Sequence, residues 1–125
     1  MTVFPFRPAL VAASLALAPG LAAAQSVEVE CVFTLECYEA EACNEANFNL
    51  RVGKGDSPTE AVVRTPAETF SGNVEGHDST SLVWTTRTAT TAQILSWGAD
   101  GSARYTLHLT DGPAVVSYHG HCEAK

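Results

Sequence analysis

From Val27 to Glu36 the chain alternates with a period of two. Val27, Val29, Cys31, Phe33 and Leu35 fall on one side. Glu28, Glu30, Thr34 and Glu36 fall on the other, with Val32 the one apolar residue of the polar set. Successive side chains of a strand point to opposite faces, so this pattern demands a half-buried β-strand. A second alternating segment closes the chain and carries Cys122. Both ends of the sequence are therefore strands with an inward cysteine, which restricts what can lie between them.

The final hairpin is internally consistent. With Asp111-Gly112 as its turn, Leu109 faces Ala114, Leu107 faces Val116 and Tyr105 faces Tyr118 on the inner side. Thr106 then faces Ser117, and Arg104 faces His119, on the outer side. Burial selects this register because every inner pair is apolar or aromatic. Gly120 and Cys122 also point inward on it. If the first and last strands are antiparallel neighbours with Cys31 opposite Cys122, Phe33 lies over Gly120 and Leu35 beside Tyr118. An aromatic ring covering a strand glycine is a stabilising arrangement.

Between these ends the pattern stays β. Phe48, Leu50 and Val52 alternate with Asn47, Asn49 and Arg51, before the breakers Gly53-Lys54-Gly55-Asp56 and Ser57-Pro58. Weaker strands are expected at 61–64 and 69–74, and Glu75-Gly76-His77-Asp78 reads as a turn. Segments 81–87 and 91–97 are rich in threonine, which suits strands. Ala99-Asp100-Gly101 is a hairpin turn signal, with Gly101 able to take positive φ. Trp97 shares the inward phase of Leu95, whereas the face of Trp84 is ambiguous. Residues 37–45 are expected to form a tight loop with room for a helical turn. About eight short strands with no helical stretch indicate a single small antiparallel β-barrel or sandwich. The terminal staple favours a closed meander, which removes exposed strand edges.

The four cysteines are Cys31, Cys37, Cys43 and Cys122. An even count in a small exported domain reads as two disulfides, with three connectivities possible. The strand register favours Cys31–Cys122, leaving Cys37–Cys43 to clip the loop between them.

Export itself is expected from residues 1–24. Arg7 supplies the basic n-region, an apolar run spans Ala9–Leu21, and Ala22-Ala23-Ala24 precedes a cut before Gln25. The run is too short to span a bilayer as a retained anchor. The mature domain is then 25–125, in the periplasm or outside a bacterium. No later segment is long and apolar enough for a spanning helix. A domain of this size buries somewhat over ~60% of its unfolded surface, so staples matter.

The chain carries 14 acids against 7 Lys and Arg, a net charge of −7. Arg7 leaves with the leader, which makes the mature part more acidic still. This argues against nucleic acid and anionic lipid as partners. Glu28, Glu30, Glu36, Glu39, Glu41 and Glu45 fall in one stretch with no base among them. The plain reading is a solvated face that aids solubility. The functional reading, carried chiefly by Glu36, Glu39, Glu41 and Glu45, is a docking surface for a basic protein.

Other chemistry is thinly represented. His119-Gly120-His121 has metal-ligand spacing, since residues two apart on a strand share a face, and Glu30 comes diagonal to His121 as a third ligand. Against this, Arg104 sits opposite His119 and repels a cation. Ser117, His119 and Glu30 make a nucleophile–base–acid set on paper, but no Gly-flanked nucleophile or oxyanion turn accompanies it. The expectation is a non-enzymatic, monomeric binding module without a cofactor. A His-based metal protein and a small hydrolase are the alternatives. A barrel interior offers room for a small apolar ligand unless side chains fill it.

Gly101-Ser102-Ala103-Arg104-Tyr105 resembles the Ser-Gly-Ala-Arg/Lys-Tyr loop of the C-type lysozyme inhibitors. Those small periplasmic β-barrels also pair a cysteine on an early strand with one near the C-terminus. The resemblance implies a barrel, and an inhibitor-like role against a basic envelope-targeting enzyme. This chain departs from the pattern in ending soon after the loop and in carrying the extra Cys37–Cys43 loop. No inhibitory residue transfers by position.

Overall fold

The computed structural model describes Val3, residues 28–76 and residues 81–124. The expected leader and its cut before Gln25 lie outside the described residues, as do His77 and Asp78 of the expected turn. Eight antiparallel strands follow one another: β1 (Val29–Tyr38), β2 (Asn44–Lys54), β3 (Glu60–Arg64), β4 (Thr69–Gly76), β5 (Leu82–Arg87), β6 (Thr91–Trp97), β7 (Ser102–Leu109) and β8 (Ala114–Ala124). Each pairs with its neighbour in sequence, and β8 returns to β1, closing an up-and-down barrel. Closure leaves no unpaired strand edge among the described residues.

The seam is where the terminal cysteines meet. Cys31 pairs with Cys122 and Phe33 with Gly120 across β1 and β8. A disulfide joins Cys31 to Cys122, and a second joins Cys37 to Cys43. The β7–β8 hairpin has the expected register, with Leu109 opposite Ala114, Tyr105 opposite Tyr118 and Arg104 opposite His119. Gly101 takes φ +84° in the β6–β7 turn, and its carbonyl accepts the Cys122 amide at 2.8 Å.

Side chains fill the interior. Phe33, Phe48, Tyr105 and Tyr118 form one aromatic cluster, with centroid separations from 4.9 to 6.2 Å. Trp84 is fully buried, which settles its face, and its indole N–H donates to the Ala61 carbonyl at 3.0 Å. Trp97 is half-buried and packs against the core. The buried Gln93 accepts the Tyr105 hydroxyl and donates to Thr91 Oγ1 at 3.0 Å. Buried polar groups need such partners, and these have them.

Two expectations fail at the far end of β1. Its register slips between Phe33 and Leu35, against both β2 and β8. Leu35 therefore pairs with His119 rather than lying beside Tyr118, and it faces out, 39% exposed. Glu36 takes the place opposite Tyr118. A bulge inserts one residue and inverts every side chain beyond it, which single-strand alternation cannot reveal. The segment 37–45 is also shorter as a loop than expected and contains no helical turn. Strand pairing runs to Tyr38 and resumes at Asn44, leaving residues 39–43.

Candidate functional site

Around this packed core, the exposed polar side chains lie on the outer wall and the loop ends. The meander places loops 39–43, 65–68, 88–90 and 110–113 at one end of the barrel. The most elaborated of them is 39–43, which the β1 bulge and the Cys37–Cys43 bridge jointly shape.

Glu39 is the one described non-glycine residue with positive φ, at +50°. Its amide donates to the Val115 carbonyl at 2.8 Å, and its Oε1 accepts the Val115 amide at 3.0 Å. The loop is thereby pinned to the start of β8. Within it, the Glu41 amide donates to the Tyr38 carbonyl at 3.0 Å. Tyr38, 44% exposed, stands at the rim, and Leu35 lies directly across from Glu45. Glu41 and Glu45 are themselves exposed. Tyr38 thus marks the rim where β1 enters the loop, while Leu35 lies on the outer wall beside Glu45.

The acidic stretch is not one face. Glu36 turns inward and hydrogen-bonds Tyr118, whose phenol is pushed up to about 12, by burial first and by Glu36 second. Tyr105 is raised further, mainly by burial and then by the charge of Tyr118. Glu39 is occupied by Val115. Glu30 lies at the opposite end of β1, with Arg51 Nη2 4.0 Å from its carboxylate. Of Glu36, Glu39, Glu41 and Glu45, only Glu41 and Glu45 present exposed carboxylates that hold no hydrogen bond or ion pair among the described residues. Tyr38 did not stand out in the sequence, and Leu35 stood out there only as an inward residue.

His119 and His121 share the outer face of β8 but turn to different neighbours. His119 Nε2 is 3.9 Å from Cys37 Sγ. The His121 ring lies against Gly101, and its Nε2 is 3.7 Å from Glu123 Oε1. Glu30 pairs with Glu123, diagonal to His121, and the three line one shallow hollow with Val32 and Ala124. Among the described residues no three His, Cys, Asp or Glu side chains form a group fit to hold a metal. The register also separates the paper triad. Glu30 lies opposite Glu123, four residues along β8 from His119, which is about 13 Å at strand rise.

The segment Gly101–Tyr105 is divided by the strand's alternation. Asp100 accepts the Ser102 amide at 2.9 Å and its hydroxyl at 3.0 Å, and these bonds hold its carboxyl below the usual range. Ala103 and Tyr105 are buried, while Ser102 and Arg104 are exposed.

No family model, curated protein or solved structure matches the chain. Fold and site define a closed, side-chain-filled β-barrel with an acidic, disulfide-clipped loop. All described cysteines are paired, which is consistent with an oxidising, exported compartment. No helix among the described residues is long and apolar enough to cross a membrane.

Proposed function

We propose that this chain is an exported, non-enzymatic interaction protein that binds a basic protein through the 39–43 end of its barrel. The observation that carries the reading is Tyr38. It is an exposed aromatic on the rim where β1 enters the acidic loop, with Glu41 exposed on that loop and Glu45 exposed at the start of β2. Aromatic anchors ringed by polar groups are the usual energetic centres of interfaces. The disulfide and the Glu39–Val115 bonds hold the loop in place before binding, which lowers the ordering cost of association. The net charge of −7 favours a cationic partner and speeds its approach.

Two further features support particulars. The resemblance to C-type lysozyme inhibitors supports a basic envelope-targeting enzyme as the partner class, with the bacterial periplasm or the medium as the place of action. The closed barrel, with no edge for strand addition, supports a monomer.

The test immobilises the mature, oxidised domain and elutes bound protein with a salt gradient, using a C-type lysozyme and periplasmic extract as the two probes. A single basic protein released at moderate salt, and held less well by Glu41→Gln/Glu45→Gln and by Tyr38→Ala, is the expected result. Capture indifferent to salt and to all three changes would overturn the reading.

A further inference from the structure

The two disulfides differ in what governs exchange with an external thiol. Cys31 is 0% and Cys122 5% exposed, both on the inner wall at the β1–β8 seam. Cys43 is exposed and Cys37 half-buried on the outer side of the bulge. An attacking thiolate needs a sulfur it can reach and a leaving sulfur whose charge is stabilised. Cys43 meets the first need. Cys37 meets the second, because His119 Nε2 lies 3.9 Å from its Sγ. An imidazole beside a sulfur is the usual means of stabilising a thiolate.

We infer that Cys37–Cys43 is a thiol–disulfide exchange site, with Cys43 the attacked sulfur, Cys37 the leaving sulfur and His119 its proton donor. The co-reactant is a thiolate, from either a small monothiol or an exported dithiol protein. In the first step its sulfur bonds to Cys43 Sγ as the Cys37–Cys43 bond breaks. The electron pair goes to Cys37, which takes the proton of His119 imidazolium and leaves that ring neutral. In the second step another thiolate, a second small thiol or the second cysteine of the dithiol protein, attacks the co-reactant's sulfur in the mixed disulfide. The external thiols depart as a disulfide, and Cys43 leaves as a thiolate. Two electrons pass from the external thiols to the Cys37–Cys43 pair.

The charges around Cys37 come from several elements. His119 of β8 faces it directly and favours a thiolate, whereas Arg104 of β7 stands across from His119 and donates to the Ala103 carbonyl. Glu41 of the loop and Glu45 of β2 oppose it. Glu36 of β1 is turned inward to Tyr118, and Glu39 is bound to Val115. Reduction frees loop 39–43 from its clip, while Cys31–Cys122 keeps the barrel closed.

The experiment treats the oxidised mature protein with reduced glutathione in one arm and with a reduced dithiol protein of the thioredoxin type in the other, across a pH series. Thiols are quenched with a mass-tagging maleimide and mapped by peptide mass. The expected result is rapid labelling of Cys37 and Cys43 without denaturant, Cys31–Cys122 remaining oxidised, and a mixed disulfide trapped on Cys43. His119→Gln should slow the reaction roughly tenfold or more and change the shape of its pH profile. Activity in one arm alone names the source of the thiol. Equal reduction of both disulfides, a mixed disulfide on Cys37, or an unchanged pH profile in His119→Gln would overturn the assignment.

Discussion

Glu39 holds Val115 from both sides of its peptide chemistry, donating its amide to the Val115 carbonyl at 2.8 Å and accepting the Val115 amide on its carboxylate at 3.0 Å. It does so from φ +50°, a region that costs a side-chain-bearing residue roughly 1–2 kcal/mol. Glu39→Ala keeps the strained backbone and loses the carboxylate bond, so it should destabilise by about 1 kcal/mol. Glu39→Gly loses the same bond but relieves the strain, so it should recover most of that loss. Urea melts decide the matter, and equal losses in the two variants would contradict this account of the loop.

Gly120 should tolerate no side chain. An added Cβ would run into the Val32 carbonyl and lie 2.6 Å from the Phe33 Cα. Both are backbone atoms, so β8 would have to move off β1. Gly120→Ala should cost about 1–3 kcal/mol by denaturant titration. Gly112→Ala, with nothing near its would-be Cβ, would suffer only from its φ of +67°. A Gly120→Ala protein of unchanged midpoint would mean the seam is looser than described.

Stability should fall in alkali. Tyr118 ionises at about 12 when folded against an ordinary 10. Between those values the folded state holds a proton the unfolded state has lost, so ∂ΔG/∂pH is negative there. The contribution is complete below about pH 10 and is lost as pH rises through about 12. Tyr118→Phe should flatten this decline. Glu36→Gln should lower the Tyr118 titration midpoint, read from phenolate absorbance, since its hydrogen bond helps keep the phenol neutral.

The two disulfides should contribute unequally to stability. Cys31–Cys122 spans a sequence separation of 91 and Cys37–Cys43 one of 6. Chain-entropy reasoning assigns them about 4.6 and about 2.4 kcal/mol respectively. Cys31→Ala/Cys122→Ala should therefore lower the melting midpoint far more than Cys37→Ser/Cys43→Ser. The reverse order would show that the long bridge strains the seam it closes.

Binding of a basic partner should split by residue type. Tyr38→Ala should cost about 1–2 kcal/mol, mainly in dissociation rate and with little dependence on salt. Glu41→Gln/Glu45→Gln should slow association and flatten its salt dependence, because exposed charges are screened beyond about 8 Å at physiological ionic strength. Surface plasmon resonance at several salt concentrations separates the two effects.

Much of the barrel was legible because its signals are local. Val29, Cys31 and Phe33 declare a buried face by alternation alone. Asp111-Gly112 sets the last hairpin, and that hairpin's parity places Gly120 under Phe33. The β1 bulge was not legible. Leu35 suits a buried position and Glu36 an exposed one, so the pattern favours the wrong phase for both. What reverses it is the Glu36–Tyr118 pairing, between residues far apart in sequence. The acidic stretch fails as a single site for the same reason. Glu36, Glu39 and Glu45 look alike in a string of letters, yet one lines the interior, one ties a loop and one faces water.

The spacing of the cysteines also bears on the order in which they oxidise. The chain is made from its N-terminus, so Cys31, Cys37 and Cys43 exist as thiols before Cys122 has been synthesised. Cys37 stands six positions from Cys31 and six from Cys43, so diffusion alone offers it both partners equally often. The bulge in β1 breaks that tie. It turns Cys37 to the outer wall beside Cys43 and leaves Cys31 on the inner one, opposite the place Cys122 will take. The irregular strand thus acts as a sorter of thiols, keeping one for the near partner and one for the far.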